Sequence, residues 1–314
     1  MNRRRLGPDG PEVGAVGYGA MPLNWEYGVP VGEDQARGVV YRALDLGMNL
    51  IDTADAYGPN EELVGRVLAP RREEAVLSTK VGLVITGVDP VTYERNGRPD
   101  HIRASCEASL RRLQTDFVDL YTLHRVDPEV PVEESVGAMA ELIREGKVRG
   151  LGLSEVDVET LESSSSVHPI ASVQSELSLW TRDALDDVVP WCMEREMAFL
   201  PYSPLGRGYL TGRLDAAQVA PEDFRATLPR FEPQVMEANR TIVDAIARVA
   251  ARHDATNAQV ALAWLLAQGP SVIPIPGTKT LSYLEENAGA ASLELTDTDL
   301  ADLNAIPPPV GGRY

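Results

Sequence analysis

Short, dense apolar runs alternate along the chain with longer segments whose apolar residues recur at helical spacing. The runs predicted as strands are Ala15–Gly19, Asn49–Asp52, Ala75–Thr79, Val118–Leu123, Val148–Leu153, Ser172–Gln174, Ala198–Tyr202 and Val272–Ile275. They are rich in Val, Leu and Ile and lack the polar alternation of a sheet with one wet face, as expected of parallel strands buried on both faces. Helical periodicity covers Asp34–Leu46, Glu61–Leu68, Ile102–Leu113, Val132–Glu145, Val158–Ser163, Asp183–Arg195, Val235–Ala251 and Asn257–Leu266. Gly47 and Gly146 stand where left-handed C-terminal caps are wanted, and Thr256 where an N-cap is. A βα unit recurring about eight times predicts an α/β chain folded as a (β/α)8 TIM barrel.

No linker divides residues 1–314, so one domain is expected, with Ser163–Ser166 read as a loop. Gly82–Asp100 and Pro204–Pro233 exceed ordinary βα loops and are expected to overhang the C-terminal face, where barrel enzymes carry their chemistry. Arg3–Leu6 and Glu12–Val13, joined by Gly7–Gly10, predict a short N-terminal hairpin plugging the bottom.

Charge narrows the partners. The 29 Lys+Arg against 47 Asp+Glu leave a net charge of −18, which repels polyanions and argues against nucleic acid or an anionic membrane. The two cysteines, Cys106 and Cys192, exclude a disulfide scaffold, and neither has a Cys or His at metal-ligand spacing, so no metal site is expected. The basic start runs into Pro8, Asp9 and Gly10 rather than an apolar stretch, and no apolar run has membrane-spanning length. A cytoplasmic protein is the expectation.

Candidate chemistry gathers at strand ends. The second strand leads into Asp52-Thr53-Ala54-Asp55-Ala56-Tyr57, the third into Lys80 and the fourth into His124. A carboxylate in an apolar run is costly unless paired, so Asp52 needs a cation, and Lys80 is offered by the next strand. Asp55, of opposite parity to Asp52, reads as a loop or rim residue. No Rossmann fingerprint is present: Gly17-Tyr18-Gly19-Ala20-Met21-Pro22 lacks the third glycine and runs into proline.

The segments IDTADAYG, LSTKVG, VDLYTLHRVDP, EGKVRGLGLSE, PYSPLGRGYLTG and IPGTKTLSYLEEN together resemble the aldo-keto reductases, and most closely their bacterial and plant auxin-induced-protein-like branch. The resemblance implies a barrel, NADPH (NADP), a small-molecule carbonyl substrate and a catalytic tetrad of Asp52, Tyr57, Lys80 and His124. Physically, carbonyl reduction needs a proton on oxygen as hydride reaches carbon. A tyrosine is a poor donor at neutral pH unless its phenolate is stabilised, which Lys80 beside Tyr57 supplies. Asp52 keeps Lys80 charged, and His124 orients the carbonyl oxygen.

For the cofactor, the resemblance assigns Gly19, Ala20 and Met21 to its border, Ser154 and Gln174 to the carboxamide, and Tyr202 to stacking on the nicotinamide. Glu155 stands where most of the family has Asn, and an ionised carboxylate can only accept. Ser203, Pro204, Leu205, Gly206, Arg207 and Gly208 look like the loop that straps the pyrophosphate. Gly277, Thr278 and Lys279 match a phosphate site ahead of a helix near Leu281, with Glu286 and Asn287 on adenine and Tyr283 in place of a frequent arginine.

Trp25, Tyr27 and Trp180 are candidate pocket walls. Cys106 reads as a packing residue, and His101, His168 and His253 as surface residues. The short final stretch Ile306–Tyr314 suggests an open, permissive pocket. Two other functions compete with turnover: a nucleotide-binding redox sensor of channel β-subunit type, and an aldolase or isomerase using Lys80 as a Schiff base.

Overall fold

Each strand end that the sequence singles out is delivered to one rim of a curled parallel sheet. The computed structural model describes residues 1–25, 28–88, 91–214, 219–220 and 223–313. Strands β1 (Arg3–Arg5) and β2 (Glu12–Gly14) pair antiparallel as the expected N-terminal hairpin. The sheet uses β3 (Tyr18–Gly19), β4 (Leu50–Asp52), β5 (Val76–Val81), β8 (Leu120–Leu123), β9 (Leu151–Ser154), β10 (Ser172–Gln174) and β11 (Ala198–Phe199). These seven are parallel neighbours in chain order, from β3 at one edge to β11 at the other. Between β5 and β8, β6 (Leu83–Val88) and β7 (Val91–Arg95) form a separate hairpin, so the expected long loop at Gly82–Asp100 has structure of its own.

Segment 271–277 joins the two edges. Toward β11, Phe199 N–H donates to the Ser271 carbonyl, Ile273 N–H to the Phe199 carbonyl, and Ile275 N–H to the Pro201 carbonyl. Toward β3, Gly17 and Gly19 donate to the Pro274 and Pro276 carbonyls. Pro274 and Pro276 themselves face β3 and have no N–H to return, so only half a ladder forms there. The expected strand at Val272–Ile275 is therefore bonded on both sides without being regular.

The helices are α1 (Glu33–Asp45), α2 (Asn60–Leu68), α3 (Pro99–Leu113), α4 (Val132–Arg144), α5 (Val158–Val167), α6 (Val188–Glu194), α7 (Pro233–Ala238), α8 (Arg240–Arg252), α9 (Asn257–Leu266), α10 (Leu281–Gly289) and α11 (Asp297–Asn304). Gly47 and Gly146 adopt the left-handed caps expected of them, and Thr256 with Gln259 forms a full capping box on α9. The serine tract is helical, not a loop. Asp157 caps the start of α5, Ser163 Oγ donates to Glu133 of α4, and Ser166 Oγ folds back onto the Ser163 carbonyl, so these two hydroxyls are bonded without breaking the helix.

Two predicted helices are broken by side chains that bond the backbone. Asp187 accepts from Val188 N–H and restarts the chain as α6. Asn239, buried between α7 and α8, exchanges two hydrogen bonds with the backbone of Val310.

Side-chain period two sorts each strand into an outer and an inner set. Inside and toward the bottom, Leu50, Val76, Leu120, Ala198, Leu200, Ile273 and Ile275 form an apolar cluster, and Leu6 and Val13 of the hairpin close it from below. Two residues further along the same face stand Asp52, Ser78 and Thr122, and beyond them Lys80 and His124. Gly152 is obligatory in this interior, because a Cβ there would come within 2.5 Å of Thr122 Oγ1 and 2.9 Å of Ser172 Oγ.

The hairpin is anchored by Arg4. Its guanidinium donates to the Gly269 carbonyl at 2.6 Å and the Leu266 carbonyl at 2.8 Å, and also to the Val272 carbonyl, while burial pushes its pKa down to about 10. Arg4 thus satisfies the C-terminal carbonyls of α9 and fixes the turn that starts the closing segment. Hydrogen bonds to a charged group contribute ~1.5–3 kcal/mol, so Arg4→Met should lower the melting temperature by roughly 5–10 °C. A melt followed by circular dichroism checks this; a change under about 2 °C would show that the anchor is dispensable.

Candidate active site

The deepest polar feature inside the ring is an ion pair. Lys80 has no solvent exposure and Asp52 only 4%, and their Nζ and Oδ2 atoms lie 2.5 Å apart. Lys80 also donates to the Thr53 carbonyl at 2.8 Å. The second carboxylate oxygen, Asp52 Oδ1, accepts from Ser78 Oγ at 2.9 Å and from Gln174 Nε2 at 3.1 Å. Burial pushes the Lys80 pKa down and the Asp52 charge opposes that shift. Both charges are therefore neutralised and hydrogen-bonded, the condition under which a buried pair survives.

Tyr57 and His124 complete the group. The Lys80 ammonium lies 5.1 Å from the centre of the Tyr57 ring, and the Tyr57 and His124 rings meet edge to face at 5.7 Å. Burial, followed by the charges of Lys80 and Arg125, holds the His124 pKa well below the usual imidazole range, so the ring is neutral near pH 7. His124 Nδ1 is enclosed without a hydrogen-bond partner among the described residues. The arrangement combines a phenol, a cation beside it and a neutral imidazole at one point, which suits proton donation to an oxygen.

A groove of about 450 Å³ runs away from this point, within the range of small-molecule sites. Gly19, Met21, Asp52, Tyr57, Gln174 and Tyr202 line its inner end. Ser203, Pro204, Leu205, Arg207 and Gly208 form one bank. Gly277, Thr278, Lys279, Tyr283, Glu286 and Asn287 form the other, so most of the expected cofactor residues do converge.

Backbone conformation marks both banks. Ser203, Gly206, Arg207 and Gly208 all have positive φ, and the Gly206 and Gly208 N–H groups turn back onto the Ser203 and Leu205 carbonyls. A Cβ on Gly208 would meet only Arg225, so that stretch is open, whereas one on Gly277 would lie 2.9 Å from the Gly19 carbonyl oxygen. Helix α10 has no side-chain cap on its N-terminus, leaving backbone donors there. Lys279 donates to the Val29 carbonyl at 2.7 Å.

Other expected residues lie elsewhere. Ala20 is buried behind the groove wall, Gly206 packs its backbone against Trp180, and Ser154 Oγ accepts from Arg125. Glu155, in the left-handed region at φ 54°, turns its carboxylate to the Glu176 N–H at 2.8 Å and to Arg313 at 2.5 Å. Trp25 lies against Gly58, just behind Tyr57. Trp180 is a core residue rather than a pocket wall: it is 2% exposed and stacks on Tyr209 at 4.3 Å. Tyr27 lies outside the described residues. His253 is not a free surface residue, since its Nε2 meets Asp299 Oδ2 at 2.7 Å. Cys106 is buried, as expected of a packing residue.

Sequence reasoning missed Arg213, Arg225 and Arg313. Arg225 and Arg213 line the groove, the latter over the Tyr283 ring at 5.1 Å and paired with Glu286 at 2.9 Å. Arg313 donates to the Tyr202 hydroxyl at 2.6 Å, so the short final stretch does reach the rim. Their only sequence signal is a lone positive charge in a loop or near the terminus, which no spacing rule distinguishes from a solvated residue.

Comparison with known proteins gives one answer. The sequence profile described as Aldo/keto reductase family matches residues 15–307. The chain is 41% identical over 316 residues to a probable aldo-keto reductase of Glycine max, covering 99% of this chain and 91% of that one. A solved glycerol dehydrogenase from Gluconobacter oxydans superposes with TM-score 0.88 at 31% identity, covering 99% and 98% of the two chains. An aldo-keto reductase from Bacillus halodurans, solved in its holo form, superposes with TM-score 0.80 at 25% identity, covering 100% and 98%.

Asp55 lies in the turn after β4, as a loop reading expects, but it is not a solvated loop carboxylate. Among the described residues its Oδ1 is enclosed without a partner, and burial, with the nearby charge of Glu61, pushes its pKa up to about 8. An unfolded aspartate titrates near 3.9, so between the two values the folded chain holds a proton that the unfolded chain has released. The stability linked to that proton is whole below about pH 4 and is lost as the pH rises through about 8. Asp55→Asn cannot ionise and should melt above the wild type at pH 9 by roughly 5–10 °C, with the gap closing by about pH 4. Scanning calorimetry at the two pH values decides it, and an equal effect at both would contradict the assignment.

Proposed function

Since the chain belongs to the aldo/keto reductase family, we propose that it reduces an aldehyde or ketone to an alcohol with NADPH, Tyr57 being the proton donor. In this reading residues 1–314 are one (β/α)8 barrel, with the proline-interrupted segment 272–277 as its eighth stave. The observation that carries it is the fully buried Lys80–Asp52 pair beneath Tyr57, with His124 edge-on to the same ring.

The bound cofactor supplies the hydride, and the chain's own residues do the rest. Tyr57 presents its hydroxyl to the carbonyl oxygen and gives up the proton as charge develops there. Lys80 stabilises the resulting phenolate, and Asp52 holds Lys80 charged and in place through its 2.5 Å contact. His124, neutral, donates one hydrogen bond that orients the carbonyl. A lysine so tightly paired is a poor Schiff-base nucleophile, which disfavours the aldolase alternative. A protein that only sensed nucleotide has no use for this acid, which disfavours the channel-subunit alternative.

The groove suits a dinucleotide. Tyr202 offers its ring to the nicotinamide, with Gln174, which lines the groove, near the carboxamide. The left-handed loop from Ser203 to Gly208 straps the pyrophosphate, with the Leu205 and Arg207 backbone N–H groups as its donors. At the far end, Thr278, Lys279 and the uncapped start of α10 take the 2′-phosphate, and Tyr283, Glu286 and Asn287 take adenine. In a chain carrying −18, a phosphate needs such a dedicated cation.

Among the described residues no helix is long and apolar enough to cross a membrane. Cys106 and Cys192 are both free thiols, and we place the enzyme in the cytoplasm on that ground.

Tyr57→Phe keeps the ring and removes the acid. It should lower kcat by ~10²–10⁴ with NADPH affinity nearly unchanged, as read by NADPH oxidation against a panel of carbonyls. Turnover within about threefold of the wild type would show that another group is the acid. For the cofactor, Lys279→Met should weaken NADPH by roughly 10- to 150-fold and leave NADH almost untouched, with high salt shrinking the wild-type preference. Equal losses for both nucleotides would mean that Lys279 supports the loop instead.

A further inference from the structure

Against the inner wall of the groove, and reaching into it at Arg207, lies a charge cluster that the proposed proton transfer does not use. Where β9 and β10 end, the Glu155 carboxylate accepts from the Glu176 backbone N–H, both carboxylates close on Arg313, and Glu176 is 3% exposed. Glu176 Oε2 sits 3.2 Å from Arg207 Nη2 and 2.9 Å from Arg313 Nε, while its Oε1 accepts from Thr181 Oγ1. Arg313 Nη2 reaches Glu155 Oε2 at 2.5 Å and the Tyr202 hydroxyl at 2.6 Å. Among the described residues Glu155 has one ion pair, and it is with Arg313.

The delivery of Arg313 is built in. Asn239 holds both the N–H and the carbonyl of Val310, at 2.8 and 3.0 Å, and Arg230 donates to the Gly311 carbonyl. The final stretch is thus tied down three residues before Arg313. Two carboxylates and two guanidinium groups then balance around Tyr202, the aromatic that lines the groove.

We propose that Arg313 is a specificity-determining residue that neutralises Glu155 beside the nicotinamide end of the groove and so sets the preference between reduced and oxidised cofactor. The inference rests on the reading above, in which the nicotinamide lies against Tyr202. The oxidised ring carries a positive charge and the reduced ring none. An unmatched carboxylate beside it favours the oxidised form, and the matching guanidinium cancels that bias. Glu155, standing where an uncharged Asn is usual in the relatives it resembles, is what makes the cation necessary. A unit charge about 10 Å away at an effective dielectric near 20 changes affinity roughly tenfold.

The test is fluorescence titration of the full-length protein with NADPH and with NADP⁺, comparing the wild type with Arg313→Met, Arg313→Lys, Glu155→Gln and the Glu155→Gln/Arg313→Met double variant. Arg313→Met should shift the ratio of the two dissociation constants roughly tenfold toward NADP⁺, and Glu155→Gln should shift it toward NADPH. The double variant and Arg313→Lys should both return near the wild-type ratio, a charge-specific rescue that lost packing cannot produce. An Arg313→Met effect of equal size on both nucleotides, or a double variant that keeps the single-variant ratio, overturns the proposal. Should Arg313→Met not fold, Glu155→Gln and Arg313→Lys still decide it by their ratios. Failure of the wild type to bind either nucleotide would instead strike the cofactor reading itself.

Discussion

A lysine ammonium with no access to water persists inside this sheet because Asp52 lies 2.5 Å from it and Thr53 lends a carbonyl. Much of the inner rim follows from that pair. Removing either partner leaves an uncompensated buried charge, which typically costs ~3–5 kcal/mol. Asp52 is in turn held by Ser78 from β5 and by Gln174 from β10, so the pair draws in strands on opposite sides of the ring. Burial keeps His124 neutral with the ammonium field adding to it, and the same ammonium lies 5.1 Å from the centre of the Tyr57 ring. A single interaction thereby fixes the position and protonation of the groups around it.

The same economy of charge recurs along the groove. Glu155 and Glu176 are matched by Arg207 and Arg313, Glu286 by Arg213, and Asp223 by Arg225. In the groove Arg207, Arg213 and Arg225 are each held by a carboxylate, while Lys279 donates to the Val29 carbonyl. Partnered cations keep their geometry, since a paired guanidinium loses less freedom on meeting a phosphate than a loose one. Positive-φ backbone at Ser203 and Arg207, costly for residues with a Cβ, is retained in the loop that lines one side of the groove.

Much of this was legible in the sequence for a definite reason. Period-two placement puts Asp52, Lys80 and His124 on the inner face of successive strands, and apolar density fixed β10 and α9 to the residue. What was missed depended on contacts far apart in sequence. Arg313 meets Glu155 across 158 positions and Asn239 meets Val310 across 71, which no local pattern encodes. Asp55 was read from strand parity as a loop or rim residue; it does lie in the turn after β4, but one carboxylate oxygen is folded inward. Trp180 was drawn to the pocket by its type, whereas Tyr209 and Phe231 claim both sides of its ring. The serine tract was read by composition as a loop, but Ser166 bonds back within the helix and Ser163 bonds Glu133 across to α4.

The central claim is that the buried pair acts on the substrate only through Tyr57, and single-turnover hydride transfer in a Lys80/Tyr57 double-mutant cycle tests it most directly. Groups that work as a unit are strongly non-additive. With near-ultraviolet circular dichroism confirming folded variants, the account predicts that Lys80→Met slows transfer by ~10²–10⁴ in the wild-type background and by no more than about threefold in a Tyr57→Phe background. Losses that multiply in the double variant would mean that Lys80 reaches the reacting carbonyl by a route of its own, and the account would be wrong.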